Sequence, residues 1–361
     1  MRIAMVSAQA SPLAGITSQS AHVAELCAGL SASRHEVVVY TRRDDAESPG
    51  EVRTAEGYDV VRVPAGPSHA LAEKDLVAHL ADFAKFLAEQ WRLWTPDVVH
   101  SHHWTSGLVA LIGGHRLRVP VVHCCHGAGE TEVEQRADAE ILIARRAAWI
   151  TATSTAEATG LWQSGARRSH VSVLPSGVDP GLFTPDGPAA VHDGRVRVVV
   201  AGGLDPGEGA AAISAVLSTM DHVELVDAGA VPRGDRPAVL RSADVAVCAP
   251  TADAYGTAAL EAMACGVPVV ATAVGALNDV VLPDVTGLLV PPQDGRRLAR
   301  SLRTVLADET LAEQFGIAGR DRVLSRYSRR RLAKEALAVY ERVVTVQPEV
   351  SSRPSTRRNR A

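Results

Sequence analysis

The sequence predicts two tandem domains of the doubly wound α/β class, facing each other across a cleft. Three observations carry this. Short Val/Ile-rich runs recur along the chain, most of them near-continuously apolar, as in parallel strands covered on both faces. Amphipathic or Ala/Leu-rich stretches alternate with them. The series is interrupted once, by PSGVDPGLFTPDGPAAVHDGR at 175–195, and then begins again. A chain of 361 residues can give each domain a core of its own.

In the first domain, 1–180, strands are expected at 2–7, 36–41, 59–63, 97–100, 119–123, 149–153 and 171–174. Helices are expected near 19–33, 71–94, 105–117, 131–147 and 155–164. The last of these opens with a capping box, Ser154 followed by Glu157. Residues 181–195 are the linker. In the second domain, 196–328, strands fall at 195–202, 222–228, 243–249, 267–272 and 286–291, with helices near 207–219, 256–264, 276–281 and 294–306. A parallel crossover with its helix takes about thirty residues, so the stretch from Gly209 to Asp244 holds about one βα unit and this domain is expected to be short. A further helix is expected at 329–345. The segment 346–361 has no apolar pattern and reads as a disordered basic tail.

Composition narrows the function classes. A net charge of −4 argues against nucleic acid as a partner. Five cysteines, an odd number without a paired framework, fit a reducing cytoplasm. The opening MRIAMVSAQASP is too short in its apolar part for a secretory signal. No apolar run reaches about eighteen residues, so no membrane span is expected; peripheral membrane contact stays open.

The stretch VVHCCHGAG at 121–129 poses a choice between metal, thiol and histidine chemistry. On a strand, His123 and Cys125 face one way and Cys124 and His126 the other. Four diverging ligands do not converge on one tetrahedral ion, and no second cluster has zinc-finger spacing, so no metal is expected. Cys124 and Cys125 read as small apolar core residues. That leaves His126, at a strand's carboxyl end, as either a structural or a functional residue. His100, His102 and His103 end another strand and read as packing and loop residues.

The strongest local signal is DAYGTAALEAMACGVP at 253–268. Gly256 breaks the loop and a helix starts near Thr257, whose unpaired amides and dipole suit a phosphate. Asp253 and Glu261 could hold sugar hydroxyls; a capped helix with a surface carboxylate is the bland alternative. No G-x-G-x-x-G follows the first strand, which disfavours a dinucleotide-binding dehydrogenase.

The pattern acidic–x7–Glu–Ala–Met–Ala–Cys–Gly–x–Pro resembles the retaining glycosyltransferases of family four, of GT-B architecture, the kin of glycogen synthase, sucrose synthase and mannosyltransferases. ASPLAG at 10–15, HVAELCAGL at 22–30, HEVVVYTRRDD at 35–45, PDVVHSHHWTSG at 96–107, VPVVHCCHGAG at 119–129, LPSGVDPGLFTP at 174–185 and TGLLVPPQD at 286–294 agree with it in order. The resemblance spans roughly residues 1–345. It implies a nucleotide-diphosphate sugar held mainly by the second domain. The acceptor, a saccharide, a lipid-linked molecule or a small molecule, would sit on the first. Transfer would retain anomeric configuration, with no metal and no cofactor. By position, His126 would contact the transferred sugar, Asp253 its hydroxyls and Glu261 the ribose. Gly203, Leu204 and the amides of Tyr255, Gly256 and Thr257 would line the donor's phosphates. Gly15, Thr17, Ser18 and His22 would form the acceptor-side loop. His126 would face Glu261 across an interdomain pocket, and the helix at 329–345 would cross back onto the first domain.

The sequence departs from the family on the donor side. In AGGLDPGEG at 201–209, Gly203 stands where the family has Arg and Glu208 where it has Lys. A charge-assisted hydrogen bond contributes about 1.5–3 kcal/mol, and one lost transition-state donor typically costs about 10²–10³ in rate. Arg233, Arg236 and Arg241 are nearby substitutes. Thr17 and Ser18 replace a glycine pair, Asp253 replaces Glu, and Ser176 replaces the Asn of the usual PNGVD. Two functions are therefore expected: a glycosyltransferase, or a catalytically degenerate GT-B protein serving as a partner or regulatory subunit. A nucleotide-sugar epimerase of the same architecture is a third, against which the acidic–x7–Glu helix speaks.

Overall fold

The computed structural model describes residues 1–14, 17–126, 133–202 and 222–345, with the single residues 213, 218 and 220. Gly15, Gly203, Leu204, Glu208, the segment 346–361 and most of the helix expected at 207–219 lie outside the described residues.

The first domain holds an eight-stranded sheet of β1 (Arg2–Val6), β2 (Glu36–Arg42), β3 (Glu51–Arg53), β4 (Asp59–Val63), β5 (Val98–His102), β6 (Val121–Cys124), β7 (Trp149–Ala152) and β8 (Val171–Val173). Its order is β3-β4-β2-β1-β5-β6-β7-β8. Every described pairing is parallel except β3 against β4. Alternation along β1 sends Ile3 and Met5 to one core and Ala4 and Val6 to the other. α1 (Ser18–Ala32) covers one face; α2 (Glu73–Leu76), α3 (Leu80–Leu93), α4 (Trp104–Gly114) and α5 (Arg136–Arg146) follow in sequence, and α3, α4 and α5 bury Phe83, Leu87, Trp91, Val109 and Ile143 on the other. α6 (Thr155–Gln163) has the expected N-cap, Ser154 Oγ accepting from the Glu157 amide at 3.1 Å, while the Glu157 carboxylate accepts from the Thr153 amide at 2.6 Å, one residue before the position the capping box requires.

The second domain has β9 (Val196–Val200), β10 (Val223–Asp227), β11 (Val245–Cys248), β12 (Val269–Thr272) and β13 (Gly287–Val290), in the order β10-β9-β11-β12-β13 and all parallel. Its helices are α7 (Arg236–Arg241), α8 (Thr257–Ala264), α9 (Leu277–Val280), α10 (Gly295–Ala307) and α11 (Glu309–Arg322). α8 packs Ala259, Leu260 and Met263 on one face of this sheet; α10 packs Leu298, Leu302 and Val305 on the other.

α12 (Arg329–Thr345) returns to the first domain. Leu332, Ala336, Val339, Tyr340 and Val343 complete its core against Val23, Leu26 and Leu30 of α1. The chain therefore crosses between domains twice, and the two crossings are zipped together. Val178 N–H donates to Tyr327 O at 2.8 Å and Arg329 N–H to Val178 O at 2.9 Å. The Pro/Asp-rich segment is fastened to the second domain: Phe183 is fully buried there, and Arg241 donates to Thr184 O and Pro188 O at 3.1 and 2.9 Å.

β3 and α11 were not expected. β3 is only three residues long, too short to show a period. α11 carries Gly316 and Gly319, which count against a helix in the sequence. Gly316 is required by packing: a Cβ there would lie 2.1 Å from Gly266 O. Because α12 supplies buried side chains to a domain it follows by some 150 residues of chain, Leu332→Ala should destabilise the protein by about 2–5 kcal/mol. Denaturant unfolding measures this; a loss under about 1 kcal/mol would show that α12 is a dispensable appendage.

A histidine stack and an ion chain at the domain junction

In both sheets the strand order reverses beside the first strand of the domain, at β1/β5 and at β9/β11. Such switch points leave a crevice at the carboxyl ends of the strands. The two crevices meet at the domain junction, where His22 and His126 of the first domain contact Tyr255 of the second.

From the first domain come histidines. His102 ends β5 in register with Cys124 of β6, and His126 follows two residues later. His126 adopts φ +63° and His103 φ +73°, left-handed conformations that are uncommon for a non-glycine residue and concentrate at functional sites. His126 Nε2 lies 3.0 Å from His102 Nδ1, and the rings stack at 5.1 Å. The His100 ring lies behind His102 at 4.4 Å, tilted by 38°, and is tied to the Tyr340 hydroxyl of α12 at 2.7 Å. His22, on the first turns of α1, meets the His102 and His126 rings edge-on and reaches Ser176 Oγ through Nδ1 at 3.1 Å. Thr17 is the N-cap of α1, its hydroxyl accepting from the Ser20 amide at 3.1 Å. Its β-branched side chain is thus used for capping, which the expected glycine pair could not do; Ser18 opens the helix.

From the second domain comes the loop into α8. Asp253 Oδ1 accepts from the amides of Tyr255 and Gly256, both at 2.7 Å. Burial raises the Asp253 carboxyl above its ordinary range, and these two amides oppose the shift. The expected phosphate-facing set of Tyr255, Gly256 and Thr257 amides is therefore divided, since the first two already serve Asp253. Gly256 is the N-cap with φ +65° and contributes no side chain, so the α8 terminus carries no side-chain cap. A Cβ at Gly256 would also meet Val280 Cγ2 at 2.8 Å.

The two halves touch through Tyr255, whose ring stacks on His126 at 5.1 Å. Tyr255, and not Glu261, is the described second-domain partner of His126. Glu261 is bound elsewhere: Arg233 Nε donates to its Oε1 at 2.8 Å, and an Arg236 NH to Oε2 at 3.5 Å. Arg233 also donates to Glu25 of α1 at 2.8 Å, and Arg329 of α12 donates to the other Glu25 oxygen at 2.8 Å. Both carboxylates are almost fully buried. Arg241, the third substitute cation, binds the interdomain segment instead.

Glu25 and His102 escaped the sequence reading. Glu25 is an acid on the buried stripe of HVAELCAGL, a signal that it needs a cation; nothing in the sequence said which one. His102 looked like loop packing because its register against β6 was unknown.

One ring nitrogen each of His22 and His102 and the Cys124 sulfur lie within 4.8 Å of one another. The set converges where the diverging stretch at 123–126 alone does not. Burial pushes the Cys124 thiol up, away from a ready thiolate.

Burial also pulls His22 from the usual 6.5 down to about 4, and His102 well below its usual value. Both are neutral near pH 7. The unfolded chain takes up these protons as pH falls through 6.5, while folded His22 does so only near 4. The contribution of His22 is therefore fully present above about pH 7 and is lost between about 6.5 and 4, at about 1.4 kcal/mol per pH unit, and His102 acts in the same direction. Denaturant unfolding between about pH 7 and pH 5 should show this fall. A flat profile would mean that the imidazoles are open to solvent.

Residues 18–177 match the model described as "Glycosyl transferase 4-like domain", and residues 190–322 match "Glycosyl transferases group 1". The chain is 31% identical to a D-inositol 3-phosphate glycosyltransferase of Kineococcus radiotolerans, with 95% of each chain covered. It is likewise 31% identical to one of a Mycobacterium species, over 85% of this chain and 82% of that one. The Kineococcus alignment runs over 417 residues, more than the 361 of this chain, so that relative carries segments absent here. In fold, the chain is similar to sucrose-phosphate synthase from Thermosynechococcus elongatus, with TM-score 0.86, 24% identity and coverage of 96% and 99%. It is also similar to an Anabaena protein in complex with UDP and glucose, with TM-score 0.70, 16% identity and coverage of 95% and 100%. With two parallel-sheet domains, five strands in the second, and these matches, the chain belongs to the family-four glycosyltransferases of GT-B fold.

Proposed function

We propose that the protein transfers a sugar from a nucleotide-diphosphate donor to an acceptor hydroxyl with retention of anomeric configuration. One observation carries this. Seven buried side-chain polar atoms among the described residues have no hydrogen-bond partner, and five belong to residues of the junction: Gln19 Nε2, His22 Nε2, one Arg233 NH2, the Tyr255 hydroxyl and Thr257 Oγ1. An unsatisfied buried polar group costs about 1–3 kcal/mol. Such groups collected around one seam suit a polar ligand that enters between the domains.

In this reading the sugar lies beside the His126–Tyr255 contact, with Asp253 and His126 near its hydroxyls and Glu261 at the ribose. The uncapped α8 terminus faces the diphosphate through Thr257, beside the Tyr255 and Gly256 turn that serves Asp253; the family resemblance assigns Gly203 and Leu204 to the same subsite. The bond from the anomeric carbon to the diphosphate oxygen breaks, and a bond to the acceptor oxygen forms on the same face. The acceptor proton passes to the departing phosphate, so the protein's part is positioning and charge stabilisation, with no metal. The relatives' substrate makes D-inositol 3-phosphate the first acceptor to try. No described helix is long and apolar enough to cross a membrane, and the five free cysteines suit a cytoplasmic enzyme.

Titration with UDP, GDP and ADP tests the proposal. One of them should bind and, at a hundredfold excess over Kd, stabilise the protein by about 2.7 kcal/mol. Glu261→Ala should weaken that binding at least about tenfold, the loss of one good hydrogen bond. The glycine and glutamate at 203 and 208 favour a second reading, a non-catalytic partner subunit; no binding of any of the three at millimolar concentration would establish it over the first.

A further inference from the structure

We infer that Arg233 is the cation that grips the donor's diphosphate in this chain, taking the place of the missing Arg and Lys, and that it does so by letting go of Glu25. The inference rests on the donor reading above.

Position comes first. Arg233 binds Glu261, which is one helical turn beyond Thr257 on α8. Residues four apart on a helix lie about 5–6 Å from each other on one face. The guanidinium is therefore bound on the face of α8 that also carries the unpartnered Thr257 hydroxyl of the uncapped terminus. Its CZ lies 5.2 Å from the centre of the Phe183 ring, which holds the group in place from the interdomain segment. One of its terminal nitrogens is buried and donates to nothing. A planar fork with a spare N–H is suited to a phosphate.

Charge decides whether it can move. Removing one partner from a buried ion pair leaves an uncompensated charge. Here neither partner of Arg233 would be left bare. Glu25 keeps Arg329 at 2.8 Å, and Glu261 keeps Arg236 at 3.5 Å. Arg329 holds a further carboxylate, Asp179, at 3.1 Å. Arg233 is thus the redundant cation of the chain Arg329–Glu25–Arg233–Glu261–Arg236. Without a donor, Glu25 occupies it. An arriving diphosphate competes with that carboxylate for the same nitrogen atoms. Arg241, spent on carbonyls of the interdomain segment, offers no such exchange.

The competition gives a signature that a structural clasp lacks. With whichever of UDP, GDP or ADP binds, Arg233→Ala should weaken binding tenfold or more, and Arg233→Lys should recover part of it. Both should affect the corresponding nucleoside little. Glu25→Gln should tighten the diphosphate several-fold, because the competing charge is gone while the hydrogen-bonding shape remains. Circular dichroism and unfolding midpoints identify variants that fail to fold, and Glu25→Gln and Arg233→Lys, the milder changes, then carry the test. Binding by the native protein that is unmoved by Arg233→Lys and weakened by Glu25→Gln would overturn the inference and leave the donor reading standing. No binding by the native protein would overturn the donor reading, and the inference with it.

Discussion

The junction is organised by a buried chain of alternating charges, Arg329–Glu25–Arg233–Glu261–Arg236. It connects α1 and α12 of the first domain to α8 and the α7 approach of the second. Buried carboxylates are costly unless each lone pair meets a cation or a donor. Arg233, reaching both acids, joins the first-domain pair Arg329–Glu25 to the second-domain pair Arg236–Glu261. The zipped crossings at Val178 and Tyr327 hold the same faces together from the side. At the same junction Tyr255 stacks on His126 and several buried polar atoms lack partners.

Topology sets where the site lies, and side chains set what it can do. Two sheets with reversing strand order present two crevices. The first fills its crevice with neutral imidazoles; the second offers a helix terminus and carboxylates. A neutral, hydrogen-bonding surface opposite a positive dipole suits a ligand with an uncharged sugar at one end and a diphosphate at the other. The left-handed backbone at His126 keeps its ring on the seam instead of letting the strand continue.

Much of the fold was legible because parallel strands buried on both faces leave unbroken Val-rich runs, as in RVRVVVAG and VPVVAT. β3 was too short to show a period, and α11 hid behind Gly316 and Gly319, the first of which packs against Gly266 and the second beside Met263. Glu261, Asp253 and His126 stood out because motif spacing is local. The partners they meet are not local. Glu25 lies 208 positions from Arg233 and 304 from Arg329. No period or spacing encodes such pairs; only the return of α12 and the docking of the domains create them. Thr17 shows the converse, a residue noted as a substrate-loop change that turns out to cap a helix.

In the proposed function a nucleoside diphosphate enters at this seam and engages the α8 terminus. Amide hydrogen exchange, with and without a saturating nucleoside diphosphate, measures that directly. The account predicts slower exchange at the first-turn amides of α8, near Thr257 and Ala258, and in the segment around Arg233, with the far edges of both sheets unchanged. Protection confined to those edges, with the α8 terminus exchanging as before, would contradict it.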